Sequence, residues 1–201
     1  MQPNATAAAG GTDGREMTLD EWAALDEDEP GELVDGRLEE EEVPDYGHEV
    51  CVAWLLRVLG NWLVGKGGFA AGSDAKFAIA PRRGRKPDVT VYLPGGRVPP
   101  RRGVVRVPPD IAVEIITSTP RDVRRDRIDK MRDYAAFGVR WYWLLDPDTR
   151  TLEVCELRDG LYAWVLGASA GRVEAVPGCD GLALDLDALW AELDRLAAGE
   201  G

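Results

Sequence analysis

Residues 110–145 read DIAVEIITSTPRDVRRDRIDKMRDYAAFGVRWYWLL, and this stretch decides the fold. Its first part, 110–116, is an apolar and β-branched run that is typical of a buried strand. Residues 122–137 carry apolar side chains at helical spacing and are followed by Gly138, a common helix stop signal. Residues 140–145 are again apolar and aromatic. The stretch therefore predicts a strand, a helix and a second strand in succession.

Helices and strands are also predicted on both sides of this stretch. Upstream lie a capped helix from Thr18, a hairpin over 32–39 with an Asp-Gly turn, and an amphipathic helix over 46–64. This mixture of elements indicates an α+β (α/β-like) fold, with a central mixed β-sheet flanked by helices. The remaining expectations are strands at 69–71, 75–79, 88–93, 151–157, 161–166 and 173–177, loops at 81–87 and 94–109, and a closing helix at 186–196.

Length and composition suit one domain. Residues 15–198 are expected to form it, after a disordered tail over 1–14 that is rich in Ala, Gly, Thr and Asn. No apolar run reaches about eighteen residues, so no membrane span is expected, and the N-terminus lacks a secretory pattern. The three widely spaced cysteines are typical of reduced thiols in a cytoplasmic protein. No glycine-rich segment has the lysine-serine pattern of a phosphate loop, so no nucleotide cofactor is expected.

The formal net charge of −12 is unevenly distributed. Residues 1–50 hold 16 acidic and 2 basic residues, whereas residues 51–201 hold 20 acidic and 22 basic residues. Asp88 is the only acidic residue between 81 and 109, a stretch with eight arginines and lysines. The pattern allows a local basic surface suited to phosphates, while the acidic N-terminal part would oppose phosphate binding at low salt.

Two carboxylates occur within apolar, β-branched runs. Asp88 stands at the beginning of a predicted strand, and Glu114 lies in mid-strand, on the same face as small and apolar neighbours. An ionised carboxylate in such a setting costs several kcal/mol unless a cation or a basic side chain meets it. One explanation for these carboxylates is a salt bridge with a nearby base. The other is a binding site for a hard divalent cation that activates water.

A lysine follows these acids on the predicted helix over 122–137. Asp126, Lys130 and Tyr134 share one stripe at i, i+4 and i+8 spacing. The stripe borders the apolar face, so Lys130 is expected between core and solvent, close to the sheet edge. A surface Asp–Lys pair would have the same spacing. Only together with Asp88 and Glu114 does the lysine indicate nuclease-like chemistry.

In combination, the motifs resemble the Uma-type putative restriction endonucleases, a bacterial branch of the PD-(D/E)xK nuclease superfamily. The likeness extends over roughly residues 16 to 190. It implies a restriction-endonuclease-like core. The segments that carry it are Gly31 to Leu38, His48 before a helix, Pro87 to Val89, Val113 to Thr119, Asp126 through Lys130 to Tyr134, Gly138-Val139 and Tyr142 to Pro147.

The resemblance implies a metal-dependent endodeoxyribonuclease. Asp88 and Glu114 would bind Mg²⁺ or Mn²⁺, and Glu32 would complete the metal shell. Lys130 would assist the attacking water, because Ile116 stands where the superfamily often places that lysine. The partners implied are DNA and a second copy of the chain, since cutting both strands favours a homodimer.

Two further positions have alternative interpretations. His48 could approach the same pocket, although a structural or capping histidine has the same place before a helix. Trp141 stands where relatives often have glutamate, a departure that affects neighbouring positions and not the metal pair.

Four basic residues just ahead of Asp88 are predicted phosphate contacts, which position a nucleic acid without reading its sequence. Two other functions remain open: a catalytically inactive nucleic-acid-binding or dimerisation module on the same fold, and a metal-dependent hydrolase acting on another substrate. The basic residues are Arg82, Arg83, Arg85 and Lys86.

Overall fold

In the computed structural model, residues 16–26, 31–39, 44–117 and 119–199 are described, except for the side chains of Pro120 and Asp122. The tail predicted over 1–14 lies outside these residues. The helices are α1 (Leu19–Ala23), α2 (Tyr46–Leu63), α3 (Pro120–Arg124), α4 (Met131–Phe137) and α5 (Leu186–Ala197), with a π-helical segment at Arg125–Lys130 between α3 and α4. The strands are β1 (Glu32–Val34), β2 (Arg37–Glu39), β3 (Phe69–Ala71), β4 (Phe77–Ala80), β5 (Arg83–Arg85), β6 (Val89–Tyr92), β7 (Ile111–Ile115), β8 (Trp141–Asp146), β9 (Thr151–Arg158), β10 (Leu161–Ala168), β11 (Arg172–Val173) and β12 (Leu184–Asp185).

Six strands form the central sheet, in the order β10-β9-β8-β7-β6-β3. Strands β7 and β8 are parallel, and the other neighbouring pairs of this sheet are antiparallel. A parallel pair needs a crossover, which α3, the π-helical segment and α4 provide. The predicted α+β fold with a mixed central sheet and flanking helices is confirmed. None of the described helices is both long and apolar enough to cross a membrane.

Helices cover both faces of the sheet. On one face, residues of α2 and α5 join a core with Val91 and Val113. On the other face, Tyr134 of α4 packs with Ala112 of β7. Because side chains alternate along a strand, Glu114 projects to the same face as Ala112, toward α4.

A second, four-stranded sheet has the order β2-β1-β5-β4. Strand β5 lies in a segment predicted as a loop, and that prediction was wrong. Glycine lowers the local strand propensity, but pairing with β1 and β4 and the ion pair of Arg85 with Glu32 stabilise the extended backbone. Gly84 is required by packing, since a Cβ at this position would overlap the ring of Trp22.

The helix predicted over 122–137 begins at Pro120 and contains the π-helical segment in its middle. It ends at Gly138, whose φ of 89° is left-handed, as the stop signal predicts. A π turn frees a backbone carbonyl from the regular helical ladder, and Tyr142 Oη donates a 2.9 Å hydrogen bond to the carbonyl of Asp126. Such turns frequently mark functional sites.

Candidate active site

Strands β6 and β7 bring Asp88 and Glu114 together. Their antiparallel register pairs Val89 with Val113, and one further step of this register sets Asp88 opposite Glu114. Opposed residues of antiparallel strands have Cβ atoms about 4.5–5.5 Å apart. The backbone N–H of Ile115 donates a 2.7 Å hydrogen bond to Asp88 Oδ2, which fixes this carboxylate at the N-terminal end of β6. The two acids therefore lie on one face of the sheet.

Glu114 is fully enclosed, with 1% of its surface exposed. Lys130 Nζ donates a 2.7 Å hydrogen bond to its Oε2, and Tyr134 Oη donates a 2.6 Å hydrogen bond to its Oε1. Burial raises the pKa of Glu114 well above its ordinary value. The charge of Lys130 lowers this pKa, but burial together with the neighbouring acids Asp88 and Asp126 outweighs the lysine. Burial also raises the pKa of Tyr134, so its hydroxyl remains a donor.

Lys130 is surrounded by acids. Besides its contact with Glu114, its Nζ lies 3.5 Å from Asp126 Oδ1 and 3.7 Å from Glu32 Oε1. The residue is 2% exposed, so the expected place between core and solvent is corrected to the interior. The predicted stripe is nevertheless real, because Asp126 and Tyr134 face the same cluster of acids as Lys130.

His48 approaches Asp88 from the first turn of α2. Its Nε2 lies 3.3 Å from Asp88 Oδ2. Burial opposes protonation of His48, but the contacts with Asp88 and Glu49 and the charges of these two acids together outweigh it, so the pKa of His48 is raised. Burial likewise opposes ionisation of Asp88, yet His48 and Lys130 lower its pKa overall. Asp45 caps the helix by accepting a 2.8 Å hydrogen bond from the backbone N–H of His48. The imidazole of His48 is not used for capping and lines the cavity.

Glu32 reaches the cluster from the small sheet. Arg85 donates a 2.5 Å hydrogen bond to its Oε2, and the backbone N–H of Lys86 donates one of 2.8 Å to its Oε1. Burial opposes ionisation of Glu32, but the charges of Lys130 and Arg85 outweigh it and lower the pKa. Both carboxylate oxygens are thus engaged by the protein itself.

The four basic residues predicted to contact phosphates all lie close to carboxylates. Arg85 is 1% exposed, so its expected phosphate contact is revised to a structural role in the interior. Lys86 lines the cavity next to the acids and keeps access to a ligand. The ion pairs are Arg82–Glu16, Arg83–Asp35, Arg83–Asp133, Arg85–Asp133 and Lys86–Asp74.

Asp88, Glu114 and Asp126 line a cavity of about 360 Å³. Its lining includes Asp88, Glu114, Asp126, Lys130 and His48. The sequence predicted no functional role for Asp126. Its i, i+4 spacing to Lys130 was the signal that could have indicated its place in the site. The expectation that His48 could approach the same pocket agrees with its imidazole lying against Asp88. No local period predicts this contact, because the two residues belong to different elements.

The donor set of this cavity suits a hard divalent cation. Mg²⁺ usually keeps several waters and takes only one or two protein carboxylates, which Asp88 and Glu114 can supply. Three carboxylates, those of Glu114, Asp126 and Glu32, share the ammonium of Lys130. Among the described residues, no three His, Cys, Asp or Glu side chains form a preformed metal cluster, so water and substrate oxygens would complete the coordination.

Comparison with known proteins shows similarity to a protein family and to a solved structure. The family model described as Uma2, putative restriction endonuclease, matches residues 18–187. A crystal structure of a putative nuclease belonging to DUF820 from Anabaena variabilis ATCC 29413 is similar with a TM-score of 0.69 and 20% sequence identity, covering 88% of this chain and 99% of the other. At this identity the likeness shows a shared fold. No curated protein matches the chain.

Proposed function

Because the chain belongs to the Uma2 family of putative restriction endonucleases, we propose that it is a metal-dependent endonuclease that hydrolyses DNA phosphodiester bonds. Family membership supports the broader class, a nuclease acting on nucleic acid. The observation that carries the finer proposal is the convergence of Asp88, Glu114 and Lys130 on one cavity.

In this proposal, Asp88 and Glu114 hold Mg²⁺ or Mn²⁺. When bound, such an ion polarises a phosphate oxygen and lowers the pKa of the attacking water. The N–H of Ile115 fixes one carboxylate and the hydroxyl of Tyr134 fixes the other. Acceptors that are already oriented lose little free energy to reorganisation during the reaction.

Lys130 orients the attacking water and balances the negative charge that develops on the phosphoryl group. Contacts with Glu114 and Glu32 support its ammonium from two sides. Arg85 and the backbone N–H of Lys86 hold the carboxylate of Glu32 with its Oε1 3.7 Å from Lys130 Nζ, so Glu32 can also position the lysine. The metal role that the resemblance implies for Glu32 stays a prediction.

The helix beside the cavity offers phosphate contacts for the substrate. Arg121 and Arg124 of α3 are exposed, and Arg125 lines the cavity with Lys86. Basic side chains in this arrangement position a nucleic acid without reading its sequence. They would take over much of the role predicted for the ion-paired cluster at 82–86.

The competing function is an inactive nucleic-acid-binding or dimerisation module on the same fold. Such a module has no need for a buried lysine among carboxylates, which is costly unless it serves a function. The homodimer stays a prediction, and size-exclusion chromatography with light scattering would test it.

Nicking of supercoiled plasmid tests the proposal. With Mg²⁺ or Mn²⁺ the wild type should nick the plasmid, and EDTA should stop the reaction. Asp88→Asn and Glu114→Gln should each lower the rate by at least about 10³-fold, as expected when a positioned catalytic charge is lost. Asp180→Asn, which changes an exposed acid, is the matched control. A wild type that binds Mg²⁺ in calorimetry but cuts no DNA would favour another substrate.

A further inference from the structure

Asp126 has a carboxylate oxygen that the protein leaves without a hydrogen bond. The residue is 2% exposed, and its Oδ1 has no hydrogen-bond partner among the described residues. Among the described residues, the cationic atoms near it are Lys130 Nζ at 3.5 Å and Arg125 Nε at 3.6 Å, both too distant for a good hydrogen bond. A buried acceptor without a hydrogen-bond donor costs free energy, so this oxygen is expected to bind a ligand that supplies one.

The position of Asp126 is built into the fold. It lies in the π-helical segment, and Tyr142 Oη holds its backbone carbonyl at 2.9 Å from the neighbouring strand. Its side chain lines the same cavity as Asp88 and Glu114. Asp129, one turn further, differs in being partly exposed and close to Arg132.

We propose that Asp126 is a further cation-binding carboxylate, acting through water: its Oδ1 accepts a hydrogen bond from a water ligand of the divalent ion held by Asp88 and Glu114. The inference rests on the proposed metal site. A water-mediated contact agrees with the absence of a preformed three-carboxylate cluster among the described residues. Mg²⁺ and Mn²⁺ are the cations expected, since both favour oxygen ligands, and Mg²⁺ retains several waters.

A purely structural role for Asp126 is the competing explanation, in which it only steadies Lys130. The two roles differ in a double-mutant cycle, because an effect transmitted through the lysine disappears once the ammonium is removed. Lys130→Met removes the ammonium and keeps a chain of similar length.

Calorimetric titration with Mn²⁺ tests the proposal. Asp126→Asn should weaken Mn²⁺ binding by about tenfold or more, the usual effect of losing a group that holds a metal ligand in place. The same loss should appear when Asp126→Asn is added to Lys130→Met. Asp129→Asn, the matched control, should stay within about twofold of the wild type. Unchanged affinity in Asp126→Asn, or a loss that vanishes in the Lys130→Met background, would overturn the inference.

The proposed metal site itself fails on a different result. If the wild type does not bind Mn²⁺, or Asp88→Asn binds it equally well, the site is wrong, and with it the inference. Should Asp126→Asn not fold, a crystal of the wild type soaked in Mn²⁺ decides. An ion located by anomalous scattering should have a water ligand within hydrogen-bond distance of Asp126 Oδ1, and a water shell that does not reach this oxygen would refute the proposal.

Discussion

Lys130 Nζ lies 2.7 Å from Glu114 Oε2, although the two residues are sixteen positions apart and belong to a helix and a strand. Both are buried, so their charges interact in a region of low dielectric. The partners are not equivalent, however, because the lysine also faces Asp126 and Glu32. Removal of the base and removal of the acid should therefore change stability in opposite directions.

Lys130→Met should destabilise the protein by about 3–5 kcal/mol, since it leaves several buried carboxylates without their cation. Urea denaturation in EDTA at pH 7.5 measures the loss, and Mg²⁺ should restore part of it. Lys66→Met is the control, because this lysine lies on the surface with its Nζ 4.5 Å from the centre of the Trp62 ring. A loss below about 1 kcal/mol for Lys130→Met would contradict the buried pair.

Glu114→Gln should raise the free energy of unfolding in EDTA, on the order of 1 kcal/mol, as found when a functional group is replaced at a strained site. The pKa of Glu114 is raised by burial and neighbouring acids, so its ionised form is disfavoured in the folded state relative to the unfolded chain. The gain is expected above its ordinary pKa of 4.5 and should fade at lower pH. A clear loss of stability at pH 7.5 would show that the lysine outweighs the repulsion.

Glu32→Gln should have the opposite effect. Although burial opposes ionisation, Lys130 and Arg85 lower the pKa of Glu32, so its stabilisation is present above the ordinary pKa of 4.5 and is lost as pH falls through the lowered value. We expect a loss of about 3 kcal/mol at pH 7.5, as for a broken buried ion pair. Urea denaturation at pH 7.5 and pH 4 should show the difference shrinking in acid.

The single histidine allows a direct test of the contact between His48 and Asp88. Its NMR titration midpoint should lie above the ordinary 6.5, because Asp88 and Glu49 together outweigh the effect of burial. In Asp88→Asn the midpoint should fall below that of the wild type, since burial then dominates. The stabilisation by this contact is present below pH 6.5 and is lost as pH rises through the raised pKa. Equal midpoints in the two proteins would rule out the contact.

Tyr134→Phe removes the 2.6 Å hydrogen bond to Glu114 and should cost about 1–2 kcal/mol of stability. We also expect kcat for plasmid nicking to fall about tenfold, because one metal-binding carboxylate loses its orientation. Tyr162→Phe is the matched control: it loses a 2.7 Å hydrogen bond to the carbonyl of Val139, away from the cavity lining. Similar kcat values for the two variants would argue against a role of Tyr134 in the site.

Arg124→Gln should weaken DNA binding, measured by fluorescence anisotropy in the Glu114→Gln background, where cleavage should be at least about 10³-fold slower. The slope of log affinity against log salt should fall by about 0.9 if one phosphate contact is lost. Arg82→Gln should change binding less, because Arg82 is held by Glu16 at 2.9 Å. If Arg82→Gln weakened binding more than Arg124→Gln, the basic cluster at 82–86 would be favoured as the DNA contact.

Local patterns in the sequence determined most of the elements. The two-residue period of β7 already placed Glu114 on the face of its small apolar neighbours, and the helical stripe joined Asp126, Lys130 and Tyr134. The capping box at Thr18 and the left-handed stop at Gly138 also formed as predicted. These features depend on residues a few positions apart, which is why the sequence alone contains them.

Only the tertiary structure decided how these elements meet. Strand β5 forms because β1 and β4 supply its hydrogen bonds. Arg85 can be buried because Glu32 and Asp133, which belong to other elements, form ion pairs with it. The depth of Lys130 and the contact of His48 with Asp88 likewise depend on packing across the sheet. Pairings between distant segments are set by the shared burial of whole faces, and no local period in the chain encodes them.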